Sequence, residues 1–86
     1  KNDREIDFLL KKGYEVVELI QVCYDLTNLD VEEREVKALI EASKELSVAR
    51  LTVLTWNEKR EVIKDGVSIK FIPLWEWLSV TPHTYA

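Results

Sequence analysis

The sequence predicts a small α/β fold with a mixed sheet, and three features carry that reading. Two strand-like runs flank a glycine turn, a capped amphipathic segment follows them, and a β-branched run then leads into an Asp-Gly hairpin signal. The order strand, turn, strand, helix, strand, then further strands is that of an α/β domain with one crossover.

The first run covers residues 4–11. Ile6, Phe8 and Leu10 alternate with Glu5, Asp7 and Leu9, the pattern of a strand with one face toward a core. Lys11, Lys12 and Gly13 form the turn. The second run, residues 14–24, is rich in β-branched and aromatic side chains and apolar on both faces over much of its length, so it is expected in the middle of the sheet. The helix is expected from Asp30, as N-cap, with Glu33 completing a capping box and acids filling the first turn. Val36, Leu39, Ile40, Ser43 and Leu46 recur at helical spacing and form its apolar stripe, while Glu33 and Lys37 fall on the wet side.

Residues 50–56 are short, apolar and β-branched, and after a helix they read as the return strand of a right-handed β-α-β crossover, parallel to the second run. Two further runs, 60–64 and 67–72, flank Asp65-Gly66 and predict a hairpin. Pro73 stops the last strand. Leu74 to Leu78 reads as an apolar helical turn closing a core edge, and residues 79–86 as an irregular tail. No repeat or Gly/Ser-rich linker divides the chain, so residues 1–86 form a single domain.

Composition narrows the function. At 86 residues, with 47% hydrophobic and 33% charged side chains, the chain holds enough apolar material for one core and is a domain of modest intrinsic stability. A net charge of −4 opposes broad attraction of phosphate, which leaves nucleic-acid contact weakly supported and confined to a local basic patch. No run approaches the roughly 20 apolar residues of a membrane helix. The absence of methionine marks Lys1 as something other than an initiator residue, so the expectation is a fragment of a larger protein. A single cysteine, Cys23, excludes an internal disulfide and a multi-cysteine zinc site, and points to the reducing cytoplasm. No Gly-rich phosphate loop ending in Gly-Lys-Ser/Thr is present, so ATP chemistry is not carried here.

Glu5-Ile6-Asp7-Phe8 near the first strand and Gln21-Val22-Cys23 on the second, followed by a helix and a strand, resemble the PD-(D/E)XK nuclease-like fold, the minimal restriction-endonuclease-like core. Arg4 to Phe8, Glu18 to Tyr24, the Arg34 to Leu39 helix start, Thr55-Trp56 and Pro73 to Leu78 together resemble the C-terminal domain of a family of archaeal and bacterial AAA-type ATPases. The resemblance covers almost the whole chain. It implies that Asp7 is the motif Asp, that Gln21 and Cys23 occupy the places of the acid and the lysine, and that the parent protein is the ATPase.

Those replacements carry a chemical consequence. Mg²⁺ wants carboxylate oxygens, and the neutral Gln21 is a poorer ligand; Cys23 supplies neither the charge nor the reach that a lysine would bring to a developing anion. Glu18, the nearest acid, lies three residues before Gln21 and so falls on the opposite strand face. Cys23 reads as a small core residue. Asp7 reads equally as a site remnant or as an acceptor of backbone hydrogen bonds. The expected function is therefore a non-catalytic accessory domain acting in interaction or regulation, with the rest of the parent ATPase as its partner and no cofactor of its own. The alternatives are a Mg²⁺-dependent DNA nuclease using Asp7 with Gln21 and Glu18, and a homo-oligomerisation module. Trp75 and Trp77 are expected to pack on the core or on the parent protein, because Glu76 between them disfavours a nucleic-acid stacking platform. Tyr24 and Asp25 mark the carboxyl edge of the sheet, where clefts form in α/β folds.

Overall fold

The computed structural model describes residues 6–24 and 28–80. It is an α/β fold: a mixed five-stranded sheet and two helices, ordered β1 (Phe8–Lys12), β2 (Glu15–Val22), α1 (Leu29–Leu46), β3 (Leu51–Thr55), β4 (Arg60–Lys64), β5 (Val67–Pro73) and α2 (Leu74–Val80). The sheet order is β1-β2-β3-β5-β4. β2, β3 and β5 run parallel through the centre, and β1 and β4 close the edges antiparallel to β2 and β5. The chain therefore leaves β3 for the far edge and returns through β5 into the position beside β3.

Both turns use the residues their geometry demands. Asp65 and Gly66 have φ of 54° and 76°, the positive pair that a two-residue hairpin needs to match strand twist. β1 and β2 pair from Phe8↔Ile20 to Lys12↔Glu15, with a register shift between Leu10 and Lys11 that leaves Val17 without an opposite residue.

α1 covers one face. Its Val36, Leu39 and Ile40 pack with Leu19 and Cys23 of the β2 segment, Leu51 and Val53 of β3, and Ile69 and Phe71 of β5. On the other face, α2 packs over β5 and β3, and Ile20 and Leu54 are buried there.

Several expectations need correction. The helix starts earlier than the Asp30 reading: Asn28 is the N-cap, and its side chain accepts from the N–H groups of Asp30 and Val31 at 3.0 and 3.2 Å. Asparagine and aspartate cap equally well, so only backbone geometry separates the two candidates. Ala42 joins the buried stripe of α1 while Leu46, in the last turn, is exposed. Phe8 is 56% exposed because it pairs with Ile20 on the α2 face of the sheet, where α2 packs over β5 and β3 and not over the edge strand β1. Ser79 and Val80 belong to α2 rather than to a tail, and residues 81–86, including His83, lie outside the described residues.

Candidate functional site

The parallel strand β2 sends the N–H groups of its odd-numbered residues toward β3. Leu19 donates to the Arg50 carbonyl at 3.0 Å and Cys23 to that of Leu54 at 2.9 Å. Even-numbered N–H groups face β1, but β1 ends opposite Ile20 and offers nothing to Val22. Asp7, the residue before β1, fills that gap. Its Oδ2 accepts from the Val22 N–H at 2.8 Å, while its own N–H donates to Oε1 of Gln21 at 2.8 Å. Two side chains thus extend the β1–β2 ladder by one step beyond the last strand pair. The Val22 bond is exposed, so its loss is expected to cost about 1.5 kcal/mol, the low end for a charged acceptor.

The structure therefore brings Asp7 and Gln21 together and joins them through backbone groups. Gln21 is 1% exposed, so its carboxamide is held inside the fold. Cys23 is buried in the cluster under α1, among Val36, Leu39 and Leu51. Glu18 goes elsewhere: its Oε2 accepts from Thr52 Oγ1 at 2.6 Å on the opposite face, where it is 7% exposed. The strand alternation that separated Glu18 from Gln21 in the sequence holds in space.

This donor set fits Mg²⁺ poorly. A hard cation asks for several free oxygens, and here one carboxylate oxygen and one amide oxygen both already accept backbone N–H groups, with a soft, buried sulfur beyond them. Among the described residues no group of three or more His, Cys, Asp or Glu side chains is placed to hold a metal ion.

A second feature lies at the carboxyl edge of the parallel strands. The pairing Val22↔Leu54, continued by two residues, sets Tyr24 beside Trp56. Their rings meet edge to face, with centroids 5.4 Å apart and planes at 84°. The turn after Trp56 is pinned, because Thr55 Oγ1 donates to the Glu58 carbonyl at 2.6 Å. Cations near this edge are paired. Lys59 meets Glu76 of α2 at 2.5 Å; Arg60 lies 4.0 Å over the Phe71 ring, donates to Glu32 at 2.7 Å, and contacts Glu58. The hydrogen bond with Glu32 is the main reason the Arg60 guanidinium is held above its ordinary pKa, with burial opposing and Glu58 adding to the effect.

Sequence reasoning placed Tyr24 at this edge and overlooked its pairing with Trp56. The signal was present: two runs read as parallel neighbours, each ending in an aromatic residue. Within this chain Trp75 is exposed and Trp77 half-buried, so only Trp77 is partly covered by the domain itself; Asp25 lies outside the described residues. In comparisons with protein families, curated proteins and solved structures, no match to the chain was found.

Proposed function

We propose that this chain is a non-catalytic, nuclease-like accessory domain of an AAA-type ATPase, and that it works by interaction or regulation. The observation that carries the reading is the Asp7–Gln21 clasp. The positions at which a nuclease of this layout would assemble its metal and water are spent on closing the end of a β-ladder. The strand-turn-strand-helix-strand order supports the nuclease-like layout, and Gln21 and Cys23 in place of the acid and the lysine support the loss of chemistry. ATP hydrolysis belongs to the rest of the parent protein, which is also the first partner.

The test is direct. Supercoiled plasmid is incubated with the purified chain and Mg²⁺ or Mn²⁺, and no nicking above buffer is expected. Metal-dependent cleavage that disappears in Asp7→Ala would overturn the reading and establish the nuclease.

A further inference from the structure

We propose that the Tyr24–Trp56 corner is a binding site for a cationic side chain, arginine or lysine, on a basic segment of a partner protein. The inference rests on the accessory-domain reading and names the chemistry of the partner.

The two rings meet edge to face at 84°, which takes up part of one ring face, and the residues remain 50% and 63% exposed for Tyr24 and Trp56, leaving π surface open to solvent. Tryptophan and tyrosine present the most electron-rich faces among the side chains, and a cation within about 6 Å of such a face is attracted to it. The fold already uses this chemistry internally, where the Arg60 guanidinium sits 4.0 Å over Phe71. The corner is also pre-organised: Cys23 N–H on the Leu54 carbonyl ties the end of β2 to β3, and Thr55 Oγ1 on the Glu58 carbonyl holds the turn behind Trp56. Rigid aromatic residues lose little entropy on contact, which is why they dominate interface energetics.

Charge selects the ligand. The chain carries −4 overall, and the exposed Asp7 carboxylate lies at the same end of β2, on the Val22 N–H two residues before Tyr24. The cations that follow Trp56 in the chain, Lys59 and Arg60, are committed to Glu76, Glu32 and Glu58. Among the described residues, a polyanion would meet Lys59 and Arg60 already ion-paired, whereas a basic segment meets aromatic faces on a chain of net negative charge.

The three tryptophans give three indole N–H signals in a ¹⁵N-correlated NMR spectrum of the labelled chain. Tetramethylammonium chloride and its neutral isostere tert-butyl alcohol are titrated in parallel, followed by a short arginine-containing peptide and an oligothymidylate. The Trp56 indole is expected to shift saturably with tetramethylammonium, with the neutral isostere binding roughly two- to fivefold more weakly, as an exposed cation–π contact implies. The arginine peptide should move the same signal. Tyr24→Leu keeps apolar area but removes a π face and should erase the preference of the Trp56 indole signal for the cation. Trp56→Leu, read at the backbone amides of Tyr24 and Thr55, should erase it likewise, and both should leave overall amide dispersion unchanged. Equal response to the neutral isostere, a response confined to Trp75 and Trp77, or tighter binding of oligothymidylate than of the peptide at the Trp56 signal would each overturn the proposal. Plasmid cleavage would sink the accessory-domain reading alone, and a silent Trp56 would sink the corner alone.

Discussion

Replacing Asp7 with alanine separates a structural acid from a residual ligand, because the two roles give changes of opposite sign. If the carboxylate serves the fold, Asp7→Ala leaves the Val22 N–H to water and loses an exposed hydrogen bond with a charged acceptor. Such bonds contribute about 1.5–3 kcal/mol, and since Asp7 is open to water on one side the lower end applies, about 1.5 kcal/mol. For a domain of this length that is a fall in Tm of roughly 6–12 °C. Asp7→Asn keeps an acceptor oxygen within reach and should lose about 1 kcal/mol or less. Gln21→Ala removes a side chain that is 1% exposed and frees the Asp7 N–H, so it should cost more, about 2–4 kcal/mol. The two residues share one clasp, and the double variant should fall short of additivity by at least about 0.5 kcal/mol. Urea unfolding followed by circular dichroism and tryptophan fluorescence reads all four, with the m-value checked for constancy. An unchanged or raised midpoint for Asp7→Ala would refute the clasp, since acids kept for a ligand tend to stabilise a fold when removed.

Further outcomes follow from the same geometry. Gln21→Glu places a carboxylate at a site with almost no exposure, beside Asp7, and should destabilise by about 3 kcal/mol at pH 7; burial and Asp7 both raise the new acid's pKa, so the deficit shrinks as pH falls toward 4–5 in a pH-resolved melt. Thr52→Val strips Glu18 of its hydroxyl donor inside the sheet and should lower the urea-derived stability by about 1.5–3 kcal/mol, with Thr52→Ser retaining most of it. Ser47 holds φ of 59° at the C-cap of α1, so Ser47→Gly should raise the melting temperature, by the equivalent of about 0.5–1 kcal/mol. Leu39→Ala empties the centre of the cluster under α1 and should cost about 2–5 kcal/mol, enough to leave much of the chain unfolded by near-ultraviolet circular dichroism.

Most of the fold was legible because local signals and global topology agree. Asp65-Gly66 fixed one hairpin, the apolar runs 14–24 and 50–56 marked the central strands, and the spacing of Val36, Leu39 and Ile40 located the covered face of α1. What escaped was information that depends on neighbours. Phe8 has the alternation of an inward residue, yet its exposure follows from β1 lying at the edge, a fact set by sheet order rather than by the run itself. Asn28 and Asp30 are chemically interchangeable caps, and the backbone bend that chooses between them leaves no mark in composition. The form of the Asp7–Gln21 contact, a side chain on a backbone N–H in each direction, left no mark in the sequence, because it depends on β1 pairing ending at Ile20, two residues before the end of β2.

The polar residues of β2 constrain the sheet in a way that its apolar residues do not. Leu19 and Ile20 would remain buried under many small adjustments, but Glu18 and Gln21 are each 7% exposed or less and require a named partner on a different neighbour. Glu18 finds Thr52 on β3, diagonal to it across the parallel pair, and Gln21 finds the N–H of Asp7 beyond the end of β1. A one-residue slip of β3 would strand a buried carboxylate, and a slip of β1 would strand a buried carboxamide and the Val22 N–H together. Each slip would also turn the strand's apolar residues to the other face, so the polar and apolar requirements select the same register. Polar groups at the middle of this small sheet therefore have a structural role of their own: they set the register of three strands, and the carboxyl edge that follows holds Tyr24 against Trp56.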